Sequence, residues 1–283
     1  MRNLFVVCSL FYCSTLLSQP ENNPPIRTDK NLWQDFTYDL ETIVGGIGHA
    51  YSRPFHWQGK QWTHFGATVA GTATLFLVDD ELEQWVNGFS DDVPDTLVEY
   101  GNRYGNPQNN YALTGGVYMT GLFLRNEKLR RTGVLLIASA TAGGFLQQVS
   151  KRIIGRARPK SGDGSSTYRP FHLDRVFNYD SFPSGHAILA FSNAYAIAKQ
   201  FKSPWIKAGL YTVGSIPGLA RIIDDFHWVS DVAFGTVLSI FIVDSIDKYL
   251  DRKYAQKYNP QEETALDWSL TFGVNNIGFV LRF

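Results

Sequence analysis

Apolar residues gather into six stretches along this chain, at 65–78, 111–124, 133–149, 187–198, 206–219 and 229–246. None alternates strictly, and each is longer than a usual strand, so the pattern predicts six helices and an all-α bundle. Polar connections separate them. An acidic loop carries Asp79-Asp80 and Asp91-Asp92, and a basic turn carries Arg125, Lys128, Arg130 and Arg131. A longer polar loop runs over 160–182, with Tyr168, Arg169, His172 and Arg175. Near the C-terminus the period changes to two, over Trp268-Ser269-Leu270-Thr271-Phe272-Gly273-Val274 and again over 277–283. The intervening Asn275-Asn276 tolerates positive φ, which predicts a β-hairpin. The final Phe283 resembles the last residue of a barrel strand, but two strands close no barrel. The hairpin over 258–283 is therefore an accessory to the bundle.

At the other end, Arg2 followed by an apolar run and Leu16-Leu17-Ser18 predicts a signal peptide over 1–18. An uncleaved first membrane segment is the alternative. Residues 19–60 read as a proline-broken linker and lead-in, opening on Pro20-Glu21-Asn22-Asn23-Pro24-Pro25, and 61–257 as the main domain. Charge balances at 26 Lys+Arg against 26 Asp+Glu, leaving no global field for nucleic acid. Both cysteines, Cys8 and Cys13, lie inside the export segment, so the body has no disulfide framework and no thiolate metal site.

Three segments carry the candidate chemistry. In the first, Lys151 and Arg158 stand seven residues apart at the end of the third apolar stretch, a spacing that puts both on one helical face before Pro159 ends the helix. Paired cations suit a phosphate; a solvated basic helix end is the plain alternative. In the second, Pro183-Ser184-Gly185-His186 precedes the fourth stretch. Ser184 suits an N-cap, Gly185 allows close backbone approach to an anion, and His186 could protonate a departing oxygen. In the third, Arg221 can add a cation, and His227 and Asp231 stand at i and i+4, so the carboxylate can orient the imidazole for attack. Decoys test these readings. Gly48-His49-Ala50 repeats Gly185-His186-Ala187 without the serine, and Phe55-His56-Trp57 repeats Phe226-His227-Trp228 with Lys60 where Asp231 would stand.

Together the three segments resemble the signature of the type 2 phosphatidic acid phosphatase (PAP2) superfamily, which includes class A acid phosphatases and vanadium haloperoxidases. Its pattern is Lys-x6-Arg-Pro, then Pro-Ser-Gly-His, then Ser-Arg-x5-His-x3-Asp. This chain departs once, with Ala220 in place of serine, which removes a hydroxyl expected near the phosphate. The resemblance implies a phosphohistidine mechanism with neither metal nor cofactor. His227 would be the nucleophile, Asp231 its orienting partner, and His186 the acid and later the base. Lys151, Arg158, Ser184, Gly185 and Arg221 would bind the phosphoryl oxygens. Activity would be bell-shaped in pH, with His227 neutral and His186 protonated.

The substrate is a lipid phosphate or a small phosphate ester. Lipid candidates are a phosphatidate-type lipid, undecaprenyl diphosphate or a lipid A phosphate. If the helices cross a membrane, the basic turn, Lys199, Lys202, Lys207 and the basic tail from Lys248 fall on one side. All three motifs then fall on the other, which the positive-inside rule assigns to the periplasm of a bacterial cell envelope. Against this, the apolar runs are short and mean hydropathy is −0.15. A soluble periplasmic acid phosphatase is the alternative, and a haloperoxidase is a third reading.

Overall fold

The computed structural model describes residues 31–172, 177–258, 267–273 and 276–282. The expected signal peptide, both cysteines and Arg175 lie outside them. Among the described residues there are nine α-helices rather than six. They are α1 (Leu32–Ser52), α2 (Lys60–Phe76), α3 (Asp79–Asn87), α4 (Asp95–Gly105), α5 (Pro107–Phe123), α6 (Glu127–Ile154), α7 (Gly185–Ala198), α8 (Pro204–Ile223) and α9 (Val229–Tyr258). The six apolar stretches lie in α2 and α5–α9. The additional three lack an apolar run to announce them. Helix α1, inside the expected lead-in, buries Asp35, Asp39 and Thr42, and α4 packs through Gly101 and Gly105.

Local chemistry sets the helix ends that matter for the site. The Asn126 side chain accepts from Leu129 N (3.0 Å) and caps α6. At its other end Gly155 adopts the left-handed conformation (φ 60°), so glycine, and not Pro159, stops the helix. A Cβ on Gly155 would also lie 1.8 Å from the Arg169 carbonyl oxygen. Ser184 caps α7, and α5 opens with Asn106 as cap and Pro107 in its first turn.

The core lies chiefly between α6 and α9, where Val134, Leu135, Leu136, Val243, Ile246 and Leu250 are fully buried. Each such side chain stabilises the fold by about 1.5–3 kcal/mol. Helix α7 is mostly buried and rich in alanine, which lets its neighbours approach closely. One polar cluster interrupts the core at the end opposite the motifs. Arg130 pairs with Asp35 (2.7 Å) and Asp39 (2.9 Å), and the Tyr118 and Tyr254 hydroxyls donate to Asp39. Strands β1 (Asp267–Gly273) and β2 (Asn276–Arg282) pair antiparallel, in register from Asp267↔Arg282 to Gly273↔Asn276.

Candidate active site

The three motif segments converge. Lys151 sits in the last turn of α6, buried. Arg158 is not on that helix, because the chain turns at Gly155 and Arg158 follows in extended conformation. Its guanidinium lies over Phe177 (4.0 Å) and near Phe226 (5.4 Å), and it donates to the Asp180 carbonyl (3.3 Å). Arg221, near the end of α8, stacks on Phe226 (3.7 Å) and donates to Asn102 Oδ1 (2.8 Å). Buried Arg158 Nε and Nη1, Arg221 Nε and His227 Nδ1 have no hydrogen-bond partner among the described residues. Unsatisfied buried donors are costly unless a ligand completes them. All but the imidazole nitrogen belong to cations, so the set can receive an anion.

Both histidines feel these charges. Burial, with Lys151 and Arg158 nearby, lowers the His227 pKa to about 3, against the opposing pull of Asp231. Burial, with Arg221 and Lys151, lowers His186 to about 3 as well. Arg158 is itself lowered to about 10 by burial and by Arg221. Burial and the surrounding cations thus favour the neutral form of both imidazoles, whereas the resemblance implies a protonated His186.

His227 precedes α9 rather than lying on it, with its N–H donating to the Arg221 carbonyl (3.1 Å). Its Nδ1 stands 3.8 Å from Asp231 Oδ2, an ion-pair distance too long for a hydrogen bond. Asp231 is instead the hub of a buried network. Its Oδ2 accepts from Ser181 Oγ (2.5 Å) and from Trp228 N (3.1 Å), the second bond satisfying a free N–H at the start of α9. Its Oδ1 accepts from Arg156 Nη1 (2.6 Å).

Arg156 is the residue the motif reading passed over. Wholly buried, it donates through Nη2 to Asp79 Oδ2 (2.8 Å), through Nη1 also to Ser230 Oγ (2.8 Å), and through Nε to the Ser165 carbonyl (2.9 Å). Phe76 and Trp228 flank the guanidinium at 4.6 and 5.4 Å. Asp79 Oδ1 accepts from Ser230 N (3.0 Å), and Asp80 holds Ser165 through its N–H and hydroxyl. Of the acidic pair that reads as a loop in sequence, Asp79 is thus a buried anchor for the third motif, and the exposed Asp80 holds the loop at Ser165. An arginine two residues before Arg158 and an Asp-Asp pair opening a helix were the available signals.

Three further positions acquire reasons. Ser184 is buried, and its N–H donates to the Asp231 carbonyl (3.2 Å), joining the second motif to the third. A Cβ on Gly185 would meet Gln147 Nε2 at 2.9 Å, so close packing against α6 also accounts for glycine there. Ala220 is buried against α4, where a Cβ on Gly101 would lie 2.6 Å from its own Cβ. A serine at 220 would therefore meet α4. The decoys are elsewhere: His49 stacks on Tyr249 and meets Arg252, and His56 is exposed. The 160–182 loop is strapped down. Arg169 N donates to the Gly155 carbonyl (2.7 Å), and His172 faces Asp180 (3.3 Å) and Arg152 (3.2 Å).

Fold and site together define an all-α protein with a buried, cationic anion site bearing two histidines. The profile of the PAP2 superfamily matches residues 132–250, which contain all three motifs, and this match supports membership of that superfamily. It is similar to the Lipid A 1-phosphatase of Porphyromonas gingivalis, 32% identical over 108 residues, which is 38% of this chain and 21% of that protein. Lipid A 1-phosphatases of Rhizobium etli and Rhizobium johnstonii are each 32% identical, over 36% and 38% of this chain and 44% and 45% of their own length. The match thus spans less than half the length of these curated relatives.

Proposed function

We propose that this protein is a metal-independent phosphatase that hydrolyses a lipid-linked phosphate through a phosphohistidine. The observation that carries this reading is the set of unpartnered donors on Arg158 and Arg221, gathered beside Lys151, His186 and His227. Lys151, Arg158 and Arg221 hold the phosphoryl oxygens, together with the N–H groups opening α7 behind Ser184 and Gly185. His227 Nδ1 faces Asp231, which leaves Nε2 to attack phosphorus. The P–N bond forms, the P–O bond breaks, and the leaving oxygen takes its proton from His186. Neutral His186 then accepts a proton from water as that water attacks phosphorus, which releases phosphate and restores His227. Asp231, fixed by Arg156, stabilises the positive charge that develops on His227.

A phosphate monoanion entering among three cations offsets their effect on both imidazoles and brings the proton that His186 passes to the leaving oxygen. The similarity to Lipid A 1-phosphatases supports a lipid-borne phosphate. So does the surface. Helices α6 and α9 are long and apolar enough to cross a membrane. Helix α2 buries no residue and carries Lys60 as its only charge, while Trp62, Phe123, Leu124, Phe145 and Trp205 are exposed. Helix α6 separates the basic turn from Lys151 by about 30–35 Å of helix, which supports a site on the periplasmic face.

The test is phosphate release from p-nitrophenyl phosphate and from a phosphorylated lipid by the purified full chain. Turnover should survive EDTA and vanish in His227→Ala. Activity that needs added vanadate, peroxide and halide would replace this reading with a haloperoxidase.

A further inference from the structure

Three side chains outside the motif set meet beside the phosphate site. Arg152, in the last turn of α6, donates through Nη1 to Asp180 Oδ1 (3.1 Å). His172 Nε2 stands 3.3 Å from the same oxygen and 3.2 Å from Arg152 Nη1. The imidazole is buried, and its Nδ1 lies 2.8 Å from the Arg169 carbonyl, which makes that nitrogen the donor. Nε2 is then left to accept from Arg152 when the ring is neutral, or to donate to Asp180 when it is protonated. The Gly155 turn sets the ring in place, since a Cβ there would lie 2.9 Å from Nδ1. Nothing in the mechanism above uses these three residues.

The segment leading to Asp180 is the seat of Arg158. The Phe177 ring lies 4.0 Å from the guanidinium, the Asn178 carbonyl accepts from Arg158 N (2.8 Å), and the Asp180 carbonyl accepts from Nη2 (3.3 Å). Those contacts leave Nε and Nη1 buried and without partners among the described residues. A guanidinium is planar, so a ring against its face and one bond at Nη2 fix where its other N–H groups point. The Asp180 charge also reaches Arg158, opposing the lowering that burial and Arg221 impose. Beyond Asp180, the Ser181 N–H donates to the Arg156 carbonyl (3.1 Å). Among the described residues, Arg152 and His172 hold the Asp180 carboxylate.

Resting on the phosphatase reading, we infer that Arg152 and His172 are positioning residues for phosphate binding: through Asp180 they aim the Nε and Nη1 hydrogens of Arg158 at the phosphoryl group. A clasp that only tied the 160–182 loop down would cost stability when broken and leave the phosphate affinity of the folded chain unchanged. A clasp that aims Arg158 acts on phosphate through that arginine alone.

Binding of inorganic phosphate to the detergent-purified full chain tests this by a double-mutant cycle. Asp180→Asn and Arg152→Met should each weaken phosphate about 10-fold. In an Arg158→Met background neither should weaken it further. His172→Gln, whose amide reaches the Nε2 position, should keep the wild-type affinity, and His172→Leu should lose it. Should Asp180→Asn fail to fold, His172→Leu completes the same cycle, and if Arg158→Met binds no phosphate the contrast between the two His172 variants decides alone. Undiminished phosphate binding in the folded clasp variants, losses that add to that of Arg158→Met, or equal affinities of His172→Gln and His172→Leu would overturn the inference. Absence of p-nitrophenyl phosphate turnover in the wild type would count against the phosphatase reading instead, and the phosphate cycle still decides the clasp.

Discussion

Burial and the neighbouring cations lower His186 and His227 to about 3, and this changes what a pH profile should look like. With folded values below the ordinary 6.5, neither ring gains a proton until the solution is strongly acidic. The proton for the leaving oxygen must then arrive with the substrate. We predict that kcat/KM falls as pH rises through the second ionisation of the phosphate ester, at about 6. That midpoint should move when esters of different acidity are compared, and a midpoint fixed across such a series would place the titrating group on the enzyme. The same shifts bear on stability. The unfolded chain binds protons below pH 6.5 that the folded site refuses, so stability falls as pH drops from 6.5 towards 3. Inorganic phosphate should oppose that loss in a melting experiment at pH 5. Arg156 is the second test at this scale. Its lysine variant keeps a charge but cannot bridge Asp79, Ser230 and Asp231, so kcat should fall about 10-fold or more with KM little changed. An unchanged kcat would make the network purely structural.

Helix α4 is the element that closes the site, and it does so by lacking side chains where it touches α7 and α8. Gly105→Ala would drive a methyl group into the His186 ring at 2.5–2.8 Å. We expect kcat to drop while Tm changes by a few degrees, because the ring rather than the core must move. Gly155 makes a different demand. Alanine there is strained by φ 60° and collides with the Arg169 carbonyl, so Gly155→Ala should destabilise by more than about 1 kcal/mol. Thermal unfolding of the purified chain measures both. The elements also explain why the pattern along the chain undercounted helices. An apolar run marks a helix that faces core or lipid all along one side. Helix α1 buries carboxylates for Arg130, and α4 buries backbone, so neither leaves that mark.

For the whole molecule, aromatic and aliphatic residues on α2, α5, α6 and α8 stand exposed among the described residues, and apolar surface costs about 25 cal/mol per Å² in water. We predict that the protein stays in the membrane fraction after alkaline carbonate and needs detergent for activity. Active enzyme released by osmotic shock alone would reverse that. The basic side is less free than it reads in sequence. Arg130 is buried with Asp35 and Asp39, Arg131 meets Asp247, Lys199 meets Asp244, and Lys257 meets Glu127. Much of that charge therefore holds helices together as well as biasing orientation. Legible from sequence alone were the all-α class, the six apolar helices and the motif spacings that put eight residues forward for the proposed site, because apolar runs and short motifs are local and need no knowledge of what packs where. Only the tertiary structure decided that Lys151 and Arg158 meet across a glycine turn, that Asp231 answers to Arg156 more than to His227, and that Asp79 belongs to the site at all. Those relations join residues as many as 152 positions apart, and burial, which sets both histidine pKa values, exists only once the helices have come together.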